Sequence, residues 1–158
     1  MKRILEFAFV LLAIGLSLPL QSGTAHPASS SIADSWIAAW NSHDPAKWAT
    51  HFTSDVYYED VTFGEISRGS AEAQKFAASF FTDVPDLKLE LADSSVEGNH
   101  GSIQWILSGT DKGVFKTGKP FKVRGVSIVT VDHGKISRSI DYYDLATIMK
   151  QVGVLPAS

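Results

Sequence analysis

The sequence predicts an α+β domain, with helices gathered in its first half, a run of antiparallel strands in its second and one short closing helix. Two observations carry this reading. Up to Pro85 the apolar residues recur at helical spacing, as in Ile32, Trp36, Ile37 and Trp40, or Ala73, Phe76, Ala77 and Phe80. From Asp86 onward the period changes to two: Leu87, Leu89 and Leu91, then Ile103, Trp105 and Leu107, then Phe121 through Val131. Early helices followed by consecutive strands exclude an alternating parallel sheet.

Taken in order, Ser31 with Asp34 resembles a capping box, and the first helix is expected from there to about Asn41. Asp44-Pro45 restarts a helix, with Asp as N-cap, Pro at the first helical position and an apolar stripe of Trp48, Ala49 and Phe52. Asp55 to Val61 is rich in β-formers and reads as a strand, before a loop at Phe63 to Gly69. Ser70 opens a third helix, which Val84-Pro85 closes. The later strands are separated by turn signals at Glu97-Gly98-Asn99, around Thr110 to Gly118, and at Asp132-His133-Gly134. Asp144 caps a last helix that Gly153 and Pro156 stop.

Residues 1–25 read as a secretory signal: Lys2 and Arg3, an apolar run from Phe7 to Leu20, and a small-residue cleavage site at Gly23-Thr24-Ala25. Gly15, Ser17 and Pro19 interrupt the run, which falls short of the roughly 20 residues of a membrane span. The expectation is a secreted or periplasmic protein, cleaved near Ala25, with no stable membrane anchoring. Residues 26–31 (HPASSS) are expected to be a flexible leader, and residues 32–155 a single domain. The chain has no cysteine, which excludes a disulfide scaffold, a thiol nucleophile and a thiolate metal site. Its net charge of −3 and lack of a basic footprint argue against a nucleic-acid partner. The five histidines do not form a ligand pair, and no phosphate loop or zinc motif is present, so no metal and no cofactor are expected. A homodimer is left open.

The most informative stretch is Lys135 to Gly153, KISRSIDYYDLATIMKQVG. Alternation puts Ser137, Ser139, Asp141 and Tyr143 on one face, and Ile136, Arg138, Ile140 and Tyr142 on the other. A carboxylate at a strand end, after small hydroxyls and before an aromatic, suits the floor of a pocket. Asp60 sits in a similar position at the end of the first strand. Tyr57, Tyr58, Tyr143, Trp105 and Trp36 are candidates for a cavity lining that suits a flat hydrophobic ligand. Tyr58 and Tyr143 are the better ones, since each shares a face with the neighbouring aspartate. The plainer alternatives are that Asp60 is a turn residue and that Asp141 pairs with Arg124 or Arg138.

The layout resembles the nuclear transport factor 2-like (NTF2-like) superfamily, and within it the SnoaL-like polyketide cyclases. Matching features are Arg68-Gly69 before the third helix, Val84-Pro85-Asp86-Leu87, Asp132-His133-Gly134-Lys135-Ile136, Asp144 and Gln151-Val152-Gly153. The resemblance implies a cone-shaped fold, in which helices close one side of a curved antiparallel sheet around a ligand cavity. It places the cyclases' acid/base aspartate on Asp141, while a histidine of theirs falls on Ser127, among the substrate contacts. The similar ketosteroid isomerases place their general base on Asp60, their oxyanion-binding phenol on Trp36 and a protonated aspartate near Val126 or Ser127.

Proton abstraction beside a carbonyl requires a base and a group to hold the enolate oxygen, and desolvation tunes a buried carboxylate for the first task. The expected function is therefore a cofactor-independent lyase or isomerase acting on a small hydrophobic carbonyl compound, with Asp141 as acid/base. The alternative is a non-catalytic binding protein with the same pocket. A closed, dry cone with Asp141 inside favours chemistry, and a wide polar mouth favours binding.

Overall fold

The computed structural model describes residues 27–156. The expected signal segment 1–25 lies outside the described residues, as does His26. The elements follow in the order α1 (Pro27–Trp40), α2 (Pro45–Ala49), β1 (Phe52–Asp60), β2 (Glu65–Arg68), α3 (Ser70–Asp83), β3 (Lys88–Glu97), β4 (His100–Thr110), β5 (Pro120–Asp132), β6 (Lys135–Tyr143) and α4 (Leu145–Gln151). The strands form one curved, unclosed sheet in the order β2-β1-β6-β5-β4-β3, which is the expected α+β architecture.

Several boundaries differ from expectation. Helix α1 starts at Pro27 rather than at the Ser31 cap, so most of the expected leader is helical. Proline suits a first helical position, where its preset φ helps and its missing donor costs nothing. Helix α2 has the expected cap, Asp44 Oδ1 accepting from the amides of Ala46 and Lys47 at 2.9 and 3.0 Å. It ends at Ala49, however, and Phe52 opens β1. Part of the expected loop at Phe63 to Gly69 is strand β2, which pairs antiparallel with β1 from Asp60↔Glu65 to Tyr57↔Arg68. Its four residues are too few to show a period.

The β5–β6 hairpin turns where expected, with positive φ at His133 (48°) and Gly134 (78°), the two-residue geometry that matches strand twist. Beyond the turn, Val131 pairs with Ile136 but Thr130 pairs with Arg138, so Ser137 is an extra, bulged residue. This corrects the expected faces: Ile136 is buried together with Ser139 and Asp141, while Ser137 is displaced from their row.

The core fills the concave side of the sheet. Trp36 and Trp40 of α1 and Phe76 and Phe80 of α3 reach it from the helices, and fully buried Ala73 and Ala77 let α3 lie close. Gln151 ties α4 to the sheet by exchanging two bonds with the backbone of Lys122, at 2.7 and 2.9 Å.

The β4–β5 connection is held from inside by Asp111, which is 1% exposed. Its carboxylate accepts from the amides of Phe115 (2.9 Å) and Thr117 (2.8 Å) and from the Thr117 hydroxyl (2.7 Å). Removing such a group leaves buried donors unpaired. Asp111→Ala is expected to cost on the order of 2 kcal/mol. It should lower the urea midpoint without changing the slope, and an unchanged midpoint would show that the loop holds itself.

Candidate active site

Strands β1 and β6 lie side by side in parallel, so residues in register face the same way. Asp60 stands beside Asp141, and Tyr58 beside Ser139. Tyr143, two residues after Asp141, shares that face. The bonds cross between the strands. Tyr58 donates its hydroxyl to Asp141 Oδ2 at 2.8 Å, and Tyr143 donates its own to Asp60 Oδ2 at 2.7 Å. Each tyrosine thus serves the aspartate of the other strand, not its sequence neighbour.

Asp141 is 3% exposed. Ser139 donates to its Oδ1 at 3.1 Å, and the Ser127 hydroxyl bonds it as well. Ser127 in turn accepts from Trp105 Nε1 at 3.0 Å. Burial pushes the Asp141 carboxyl up to about 7; the hydroxyls of Ser127, Tyr58 and Ser139 pull the other way, and the charge of Asp60 adds to the rise. Asp60 is also raised by burial, although it accepts from Tyr143 and from the Phe63 amide at 3.0 Å. Burial and the adjacent carboxylates hold both phenols well above their ordinary value, so they remain donors at working pH.

These groups form one wall of a cavity whose envelope is about 290 Å³. Trp36, Trp40, Phe76 and Phe80 close it from the helices, and Leu89, Trp105 and Leu107 complete the sheet side. Most of the envelope is too narrow for water and leaves room for about one or two molecules. A second cavity of similar envelope lies beyond Leu107 and Tyr143, lined among others by Phe63, Phe115 and Asp111. Outside both runs a groove along α3 whose border includes Glu65, Glu72, Lys75 and Asp83. Phe80 borders all three spaces.

Six of the residues expected at the site converge on the cavity: Asp141, Asp60, Tyr58, Tyr143, Trp36 and Trp105. Ser127, expected among the substrate contacts, lies behind Asp141, with no exposure and both neighbours bonded. Tyr57 is on the outer face, its ring between the guanidinium groups of Arg68 and Arg138 at 5.2 and 5.1 Å. Arg138 is therefore not the partner of Asp141, and exposed Arg124 is on the outer face too. Trp40, Phe76 and Phe80 line the cavity as well, and the sequence signal for them is i, i+4 spacing, Trp40 from Trp36 on α1 and Phe80 from Phe76 on α3. Among the described residues no group of three His, Cys, Asp or Glu comes together as a metal site would require.

The raised carboxyl has a measurable signature. The folded state holds the Asp141 proton more tightly than the unfolded chain does. Its contribution to stability is fully present below the ordinary carboxylate value near 4 and is lost as pH rises through about 7. Asp60 acts in the same direction. The stability difference between Asp141→Asn and the wild type should therefore move in favour of Asn from pH 4 to 7, by a few kcal/mol at most, and level off above. A difference that is flat with pH, measured by denaturant titration, would contradict the buried, raised carboxyl.

A profile of the SnoaL-like polyketide cyclases matches residues 30–152. The cyclase aurE of Calcarisporium arbuscula is 28% identical over 111 residues, covering 69% of this chain and 82% of that protein. A protein of ketosteroid isomerase-like fold from Catenulispora acidiphila DSM 44928, solved with trimethylamine, superposes with a TM-score of 0.72 at 24% identity, covering 77% of this chain and 92% of the other. TsrD from Streptomyces laurentii superposes with a TM-score of 0.70 at 23% identity, covering 80% and 95%. The two structures establish the shared fold. With the family profile spanning residues 30–152, which include every described strand, the chain belongs to the SnoaL-like polyketide cyclase family.

Proposed function

We propose that this protein is a cofactor-independent cyclase or isomerase in which Asp141 takes and returns a proton next to the carbonyl group of a small hydrophobic compound. One observation carries the proposal: a carboxylate buried in an apolar, nearly water-free cavity, with its affinity for protons lifted to about neutral. A base of that strength is about half ionised at pH 7, which suits both removing and returning a proton. Three hydroxyls bond it, and a carboxylate offers about four acceptor sites, so one remains for a substrate proton.

When Asp141 removes the proton, the C–H electron pair passes into an enolate and the proton stays on the carboxyl. In an isomerisation the proton returns to a different carbon. In an aldol cyclisation the enolate carbon forms a bond to a second carbonyl of the same molecule, and the resulting alkoxide takes the proton. Exclusion of water protects the enolate from stray protonation. Family membership and the cyclase relative support this class of reaction. Asp60, held by Tyr143 and the Phe63 amide, keeps a second carboxylate beside the first and so helps to hold the Asp141 proton. The signal-like residues 1–25 support action outside the cytoplasm, as part of the same proposal.

A binding protein without turnover is the second reading. It is favoured by the partners that both carboxylates already have within the protein. One substitution separates the two. Asp141→Asn is expected to lower the rate of deuterium exchange at the α-carbon of β-keto esters or cyclic enones, followed by NMR, by about 10²–10⁴-fold. Affinity should change far less, and the wild-type rate should rise with pH through about 7. Equal exchange by wild type and variant would leave the binding reading standing.

A further inference from the structure

The cavity beside Asp141 is too narrow as it stands for a ring compound, so a ligand that reaches the carboxylate must displace a side chain. The neighbouring spaces identify which one. A single layer of side chains divides the first cavity from the second, since Phe80, Leu107 and Tyr143 line both. Each has an envelope of about 290 Å³, at the bottom of the range of about 300–1,000 Å³ usual for small-molecule sites, whereas the two together lie well inside it. Among the described residues, Phe80 alone borders both cavities and the open groove along α3.

The other two dividers are held in place. Leu107 is 2% exposed on an interior strand, and Tyr143 is bonded to Asp60 at 2.7 Å. The backbone around them is fastened too: the amides of Lys112 and Gly113 bond the carbonyl of Asp83 at 2.9 and 3.0 Å, which ties the β4–β5 connection to the end of α3. Phe80 is only partly buried, and its ring rests on those of Trp40 and Phe76 at 5.8 and 6.0 Å. A phenylalanine on a helix has two accessible χ1 rotamers, and passing between them breaks no hydrogen bond.

We propose that Phe80 is a swinging partition. Turned toward the groove, it joins the two cavities into one site open to solvent, which takes a hydrophobic carbonyl compound of two rings. One ring lies beside Asp141 and the other under the β4–β5 connection, among Phe115, Phe121 and Ile148. That second chamber suits an apolar group, because its carboxylate, Asp111, is already spent on the donors of Phe115 and Thr117. It thereby sets the length of the ligand. Placing the acidic C–H in the Asp141 chamber rests on the proton-transfer reading, but occupation of both chambers does not.

The probe is 2-tetralone, a ketone of two fused rings, and methyl signals mark each chamber: Leu89 lines only the first cavity, and Ile148 only the second. In methyl-labelled protein, 2-tetralone is expected to shift both signals along one binding curve, at one molecule per chain. A shift of either signal alone, or of neither, would overturn the joined site. The partition itself is read from the association rate, followed by stopped-flow quenching of the cavity tryptophans. Where the open form makes up about 0.1–10% of the molecules, removing the door raises that rate by the inverse of the fraction, so Phe80→Ala should associate about tenfold faster or more. Leu89→Ala removes bulk from the first cavity without opening a way to the groove, and should alter affinity while leaving the association rate near that of the wild type. An unchanged rate in Phe80→Ala, or equal acceleration by Leu89→Ala, would overturn the partition. If a variant fails to fold, the wild-type methyl shifts decide alone. Joint shifts without exchange at the α-carbon would keep the two-chamber site and remove the enzyme; exchange dependent on Asp141 with an unshifted Ile148 would do the reverse.

Discussion

Two carboxylates buried beside one another in an apolar wall are the constraint around which this structure is organised. Ionised groups in such a place are costly unless donors surround them. A cation would be the simplest donor, but it would drive the proton affinity of Asp141 down and leave a weak base. The protein uses hydroxyls instead, from Tyr58, Ser139 and Ser127. They satisfy the carboxylate without outweighing burial. The cations of the surrounding strands are accordingly on the far face, where Arg68 and Arg138 flank Tyr57.

The arrangement depends on register to the residue. A slip of one position between β1 and β6 would turn one aspartate toward solvent while the other stayed inside. The bulge at Ser137 is part of the same geometry, since it brings Ile136 into the core ahead of Ser139 and Asp141. On the neighbouring strands, Gly125 leaves space for the Trp105 ring: a Cβ there would clash with its Cη2. Trp105 can then lie along the sheet and reach Ser127, the third donor to Asp141.

The fold class and the inward face around Asp141 are legible in the sequence, because period-two alternation over long strands leaves little freedom and helical spacing marks the other wall. The convergence of Asp60 with Asp141 is not legible from alternation alone. It depends on a parallel pairing between strands far apart in the chain, which no local pattern encodes. The bulge is invisible for the same reason, as a one-residue irregularity set by the partner strand. The exchange of tyrosines between aspartates is a consequence of strand stagger that parity cannot resolve. Strand β2 and the interior fastening of the β4–β5 loop by Asp111 escape notice because an isolated short strand and an isolated aspartate in a turn look the same whether buried or wet.

The parallel contact of β1 with β6 also bears on how the molecule is made. Strands β3 to β6 can pair as successive hairpins, each with its neighbour in sequence, whereas the bonds Tyr58–Asp141 and Tyr143–Asp60 each join residues 83 apart. Contacts of such separation carry the larger entropy of closing a long loop and slow folding. Until β1 docks, the edge of β6 is open and Asp141 is an ordinary surface carboxylate. Its raised proton affinity is thus a property of the completed chain, since it comes from burial that the unpaired strand does not have.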